Sequence, residues 1–235
     1  MGLTVTNPPI LVMTYNILGA RHRAALRTLV RQLRPDVLLV NETPKLPMVS
    51  KWQCRWLGWQ WGLRFRAGGR TAGGNMIMTG NRLRPITTSA TGIPQPAGQP
   101  IRGVVTVQAE LGGEPIGFVG CHLSLNADSR VHEVMDYVLI AAERLNGPVV
   151  LAGDLNETSD KPAWQRILNA GFVDHGGPQE LTFPAKAPVR RIDAIFVRGD
   201  VTVLEHRVPD VDPVLFAEAS DHLPVTALVT MGQAA

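Results

Sequence analysis

Cysteine is nearly absent from this chain. Only Cys54 and Cys121 occur among 235 residues, neither in a CxxC pair, so a disulfide framework and a thiolate zinc knuckle are both excluded. The two are read as reduced thiols, one in a helix and one in a buried strand, of an intracellular protein. Long apolar runs are missing too: none approaches the roughly eighteen residues of a membrane span. The amino terminus, MGLTVTNPPILVMTYN, has no basic segment leading into a long apolar one. A cytoplasmic protein with no membrane span is the expectation. There is no GxSxG elbow, and Ser220, Asp221 and His222 are consecutive, so they cannot form a relay among themselves. GGRTAGGN (68–75) lacks the GK[ST] ending of a phosphate-binding loop and is read as a flexible β-turn.

What is present is a chain with 45% hydrophobic residues, enough for one large core. A single domain is expected over 1–235, with its core at about 10–230, as a monomer. Lys and Arg number 23 against 20 Asp and Glu, a net +3 that suits a phosphate-bearing partner without requiring one. Strand-like runs and helical patterns alternate: ILVMTYNIL (10–18), AALRTLVRQL (24–33) and PDVLLVNE (35–42) read as β-α-β. A helix is predicted at about 45–57, then strands at 59–65, 75–79, 103–111 and 115–123, with a Gly/Pro-rich loop from Gly92 to Pro100. The second half repeats the alternation. Asn126 or Asp128 caps a helix over 129–145, PVVLAGDL follows as a strand, Lys161–Ala170 is a short helix, and strands close the chain at 190–197, 201–208 and 225–231. Two halves of the same order imply two packed sheets with helices outside.

Apolar strands here end in polar residues: Asn16 after ILVMTY, Glu42 after VLLVN, His122 after IGFVGC, Asp154 and Asn156 after VVLAG, Asp193 within RRIDAIF, and Asp221-His222 before LPVTALV. Each has an ordinary explanation: Thr43 as a helix cap, an Asx turn at Asp154 and Asn156, an ion pair of Asp193 with Arg190 or Arg191, a turn at Ser220-Asp221. Four carboxylates, two amides and two histidines at strand ends exceed what turns explain, since a carboxylate costs several kcal/mol to desolvate uncompensated. A shared cation accounts for them. Oxygen donors without a thiolate cluster suit Mg²⁺, with Mn²⁺ able to substitute, and such ions work with phosphate oxygens. In an extended stretch Asp154 and Asn156 project to one side, where both can address one water.

The ordered series TYN (14–16), Asn41-Glu42, CHL (121–123), GDLN (153–156), RRID (190–193) and SDHLPV (220–225) resembles the endonuclease/exonuclease/phosphatase superfamily over about residues 10–230. The resemblance implies a four-layer α/β sandwich, two mixed, mostly antiparallel sheets face to face with helices outside, and a metal-dependent phosphohydrolase site. It implies that Glu42, with Asn16 and Asp221, holds the ion, that Asp154 orients or deprotonates the attacking water, and that Asn156 holds that water and a phosphate oxygen. His222, paired with Asp193, would stabilise the phosphoryl group, and His122 would touch the phosphate. An Asp partner raises a histidine pKa, so His222 is expected to carry a proton at neutral pH. No branch signature is matched in full: the site aspartate is framed as Arg190-Arg191-Ile192-Asp193, and Asn41 stands where the apurinic-site nucleases have glutamine.

The run KWQCRWLGWQWGLRFR (51–66) interleaves four tryptophans with arginines; their spacing reads as core packing, with base stacking as the competing reading. Arg70 and Arg102, beside glycine-containing loops, are candidates to grip substrate phosphate, or are solvated loop charges. The favoured activity is a Mg²⁺-dependent phosphodiester hydrolase acting on DNA or RNA. A phospholipid or small-molecule phosphodiesterase is the alternative within the enzyme class, and a catalytically dead binding module the alternative outside it.

Overall fold

The computed structural model describes residues 8–232; the first seven and last three residues of the expected domain, including the start of the amino-terminal stretch read for a leader, lie outside them. The first half runs β1 (Ile10–Asn16), α1 (Arg23–Leu33), β2 (Val37–Asn41), α2 (Ser50–Trp61), β3 (Arg64–Gly69), β4 (Asn75–Thr79), β5 (Leu83–Ile93), β6 (Arg102–Leu111) and β7 (Glu114–His122). There follow α3 (Ala127–Glu133), a π turn (Val134–Val138), α4 (Leu139–Glu143), β8 (Val149–Asp154), α5 (Pro162–Asn169), β9 (Val173–Asp174), β10 (Asp193–Arg198), β11 (Val201–Arg207), α6 (Pro213–Ala219) and β12 (Val225–Met231). Two six-stranded sheets form, ordered β11-β12-β1-β2-β4-β3 and β5-β6-β7-β8-β10-β9. Each is mixed, with one parallel pair, β1 with β2 and β7 with β8, among antiparallel neighbours.

Strand periodicity makes the four layers. Ile10 and Val12 of β1, Val37 and Leu39 of β2, Val150 and Ala152 of β8, and Ile195 and Val197 of β10 face the other sheet in one shared core. Their neighbours face outward: Met13, Tyr15, Leu38 and Val40 meet α1, α2 and α6, while Leu151 and Phe196 meet the helices of the second half. A strand apolar on both faces reads as an unbroken run, and such runs carry the central strands. Asn126 caps α3, its side chain accepting from Ser129 N at 3.0 Å. Both cysteines are free and buried, and among the described residues no helix is long and apolar enough to cross a membrane.

Four expectations are corrected. Residues 59–61 belong to α2, not to a strand; the helix ends at left-handed Gly62, whose N–H bonds to Gly58 and Trp59 carbonyls. Trp52 and Trp59, expected in the core, are exposed at 68% and 72%, while Trp61 packs inside. β5 was not foreseen, because LRPITTSATGI is a mostly exposed polar edge strand with a bulge at Pro85. The segment 68–75 is no simple turn: it ends β3, makes a 3₁₀ turn at Arg70–Ala72 and opens β4.

Candidate active site

Register gathers the polar strand ends. His122 pairs with Asp154 across parallel β7 and β8, Asp154 with Asp193 across β8 and β10, and Asn16 with Asn41 across β1 and β2. The two rows face each other at one end of the gap between the sheets. Gly153 lies so close to β7 that a Cβ there would overlap the Cys121 carbonyl, which explains the glycine preceding the aspartate. Asn41 joins the rows: its amide donates to Cys121 O at 2.7 Å and Asn75 Oδ1 at 2.8 Å, and its oxygen accepts the Asp154 N–H at 3.0 Å.

Asp154 is the centre. Its Oδ2 accepts from Asn16 Nδ2 at 3.1 Å and lies 3.3 Å from His122 Nε2 and 3.7 Å from His222 Nε2. Its Oδ1 accepts the Asn156 N–H at 2.9 Å. That bond closes an Asx turn, with Asn156 at φ 52°, so β8 has ended and the expected extended geometry is replaced. The Asn156 amide instead turns to Leu123 O at 2.8 Å and lies 3.0 Å from His122 Nε2. Burial, reinforced by Asp193, pushes the Asp154 carboxyl up to about 7, against the pull of His222. This is the range a base needs near neutral pH.

The two histidines are held in opposite states. Burial alone would lower the His222 pKa, but Asp193, whose Oδ2 lies 2.8 Å from Nδ1, outweighs it and raises the pKa to about 9. His222 is thereby held as a cation, its Nε2 lying 3.7 Å from Asp154 Oδ2 and 3.5 Å from Asn16 Nδ2. His122, buried and facing Arg102, Lys45 and His222, is pushed well below its usual value and is neutral. His122 therefore supports Asp154 and Asn156 from behind. Thr182, which sequence reasoning missed, receives the Ile192 N–H at 3.1 Å and the Asp193 N–H at 3.3 Å.

Asp154, Asp193 and His222 present possible ligand atoms within 4.8 Å of one another. His222 is held by Asp193 Oδ2, however, and a protonated imidazole has no lone pair for a metal, while Asp193 Oδ1 is buried without a hydrogen bond among the described residues. Other oxygens are left over as well. Glu42 stands past β2 in a left-handed conformation, φ 55°, and its carboxylate makes no ion pair among the described residues. Asp221 is exposed, touched only by the Ser220 hydroxyl at 3.4 Å, and Asn16 Oδ1 carries one bond, from Leu18 N at 3.2 Å. An all-oxygen set with an unpaired carboxylate fits a hard divalent cation.

The two arginines part company. Arg102 is buried at 5%, with Nε lacking a hydrogen bond, and it senses the charges of Asp154, Glu133 and Glu42. Arg70 is exposed and donates to Lys45 O at 3.1 Å; it is not brought to Asp154. Lys45 was not anticipated. Its stem lies against Gly74, where a Cβ would overlap it, and its ammonium adjoins Glu42. Nothing in the spacing of NETPK signals this, because the contact comes from the turn between β3 and β4.

Residues 13–222 match the model of a family described as the Endonuclease/Exonuclease/phosphatase family. No curated protein matches the sequence at a significant level. Solved structures of the same fold include a functionally unknown conserved protein from Enterococcus faecalis, 18% identical with TM-score 0.77 over 95% of this chain and 100% of that one. A mannosyl-6-phosphatase from Bacteroides thetaiotaomicron is 17% identical, with TM-score 0.74 over 94% and 99%. D. rerio TDP2 complexed with a single-strand DNA product is 18% identical, with TM-score 0.72 over 94% and 98%. At these identities the likeness is one of fold.

Proposed function

Because the chain belongs to the endonuclease/exonuclease/phosphatase family, and so to the hydrolases of phosphoric esters, we propose that it is a divalent-cation-dependent phosphodiesterase acting on nucleic acid. The observation that carries this reading is the pairing of a buried carboxyl raised to about 7, Asp154, with an imidazolium raised to about 9, His222, at 3.7 Å. In-line displacement at phosphorus needs a base for water and a fixed positive charge for the phosphoryl oxygens. Asp154 takes the proton from the water, and the His222 Nε2–H, locked by Asp193, donates to a non-bridging oxygen. Asn16 and His122 hold Asp154, while Asn156, whose N–H bonds Asp154 and whose amide lies 3.0 Å from His122 Nε2, would fix water and phosphate. Arg102, with Lys45, offers charge to the substrate phosphate. Glu42, Asp221 and Asn16 Oδ1 would hold Mg²⁺ or Mn²⁺. When bound, the cation polarises phosphate oxygens and neutralises developing charge.

Nucleic acid is favoured over a small phosphoester by the surplus of cations in the sequence and by the gathering of Lys45 and Arg102 near Glu42. The similar structures point both ways, one named for a sugar phosphatase and one holding a DNA product. The test is to assay wild type and Asp154→Ala with Mg²⁺, with Mn²⁺ and with EDTA against single-stranded DNA, duplex DNA, RNA, sphingomyelin, a sugar phosphate and bis-p-nitrophenyl phosphate. Cleavage of a nucleic acid that is lost with EDTA and with Asp154→Ala is expected. Turnover of the sugar phosphate or lipid alone would overturn the substrate, and activity surviving both treatments would overturn the mechanism.

A further inference from the structure

α2, β3 and β5 enclose a groove of about 380 Å³. It lies where the edge strands of the two sheets meet. Its cations are Lys51, Arg55 and Arg66, its hydroxyls include Thr88 and Ser89, and no carboxylate lines it. Elsewhere Arg82, Arg84, Arg130 and Arg191 each pair with an acid, but among the described residues Lys51, Arg55 and Arg66 do not. Three uncompensated cations in one concavity call for an anionic occupant of several charges.

The groove also has a direction. Lys51 and Thr71 are shared with a second cleft that includes Arg70, and the Arg70 guanidinium bonds Lys45 O, whose residue lines a third cleft with Glu42. Glu42 is the one carboxylate lining the three. Along α2, Lys51, Arg55, Trp59 and Trp52 fall within an arc of about 100° at 3.6 residues per turn, so the exposed indoles rim the cationic row. Phosphates in a groove with flat aromatic rings beside it is how proteins hold unpaired nucleotides. A lipid bilayer is a poorer fit, because Arg66 and the hydroxyls lie inside a concavity that a flat surface does not enter.

We propose that this track binds the backbone of a single nucleic-acid strand, with bases stacked on Trp52 and Trp59, and leads it past Arg70 and Lys45 to Asp154. The inference rests on the nuclease reading above and adds where the substrate lies and why it is single-stranded.

The test compares wild type with Lys51→Ala/Arg55→Ala, both exposed positions. Binding of fluorescent single-stranded DNA and RNA 20-mers is followed by anisotropy across salt concentrations in EDTA, and cleavage is followed with Mg²⁺. The double variant is expected to bind at least about tenfold more weakly, with a log–log salt slope shallower by about 1.4 for two lost phosphate contacts. KM on the oligonucleotide rises, while bis-p-nitrophenyl phosphate, too short to reach the groove, turns over as before. Trp52→Ala/Trp59→Ala is expected to weaken single-stranded more than duplex binding. Should the charge pair unfold the protein, seen as a lost thermal transition, Lys51→Gln alone is expected to give half the slope change. Cleavage by wild type with affinity and slope unaltered in the variant would overturn the groove and leave the nuclease standing. No nucleic-acid binding or cleavage by wild type would overturn both, and loss of binding to phosphatidylserine vesicles with oligonucleotide affinity intact would assign the track to membranes instead.

Discussion

Val12, Leu39, Phe118, Val150 and Ile195 fill the middle of the gap between the sheets at 0–1% exposure, and at one end of it Asn41, Asp154 and Asp193 of the strands and His222 of the loop before β12 are nearly as dry at 1–5%. In the middle, shape complementarity suffices, and each buried apolar side chain contributes roughly 1.5–3 kcal/mol. At the end, polar groups take partners from neighbouring strands and from loops, and Asp193 Oδ1, His122 Nδ1 and Arg102 Nε stay without a hydrogen bond among the described residues. Burial is thus one physical condition with two uses: it stabilises the middle, and at the end it sets proton affinities. Burial raises the Asp154 carboxyl to about 7, while His222 reaches about 9 because Asp193 outweighs the burial that would lower it.

The sharpest way to separate the two regions is Asp154→Ala. We expect kcat/KM to fall by about 10⁴-fold with circular dichroism still native, because removing the carboxylate removes a buried charge along with the base. Phe118→Ala should do the reverse, costing about 3–5 kcal/mol in denaturant unfolding while the folded fraction keeps its specific activity. Asn41→Ala tests the border. Its amide ties Cys121 O and Asn75 to Asp154 N–H, so a stability loss of about 1–3 kcal/mol should accompany an activity loss. A loss in stability alone would break the claim that this amide positions Asp154.

The smallest effect is a pH profile. His222 must keep its proton, which it does below about 9, and Asp154 must lose its own, which it does above about 7 or lower once a cation adds positive charge. Activity should rise through about pH 7, or lower with the cation bound, and decline through about pH 9. Asp193→Asn removes the charge that holds the His222 proton, so the alkaline decline should move down by roughly a unit or more. An unmoved limb would disconnect it from His222.

Much of this was legible in the sequence because central strands buried on both faces read as unbroken apolar runs: β1, β2 and β8 stand where ILVMTYN, VLLVN and VVLAGD put them. The helical run from Ala127 to Glu143 was equally plain. The edge strand β5 was not, since a polar, exposed strand shares its composition with loops. The end of α2 was misplaced because WQWGLRF alternates like a strand, and only packing of Leu57 and Trp61 under β3 extends the helix to Gly62. Thr182 and Lys45 were hidden because each reaches the site from a loop whose path no local pattern encodes.

The sequence alone determined the inventory: which polar residues end which apolar strands, and the chemistry those residue types share. Hydrophobic periodicity is local, so a strand carries its own record of where it stops being buried. The tertiary structure decided the states and the surroundings. His122 is neutral because it is buried and faces Arg102 and Lys45, and His222 is charged because Asp193 beside it overcomes the same burial. Asn156 turns away from an extended course because its N–H is taken by Asp154. Tryptophans that read as core stand in solvent because α2 turns Trp52 and Trp59 onto the exposed face that carries Lys51 and Arg55. Proton affinity and exposure are set by neighbours distant in sequence, and only the folded chain supplies them.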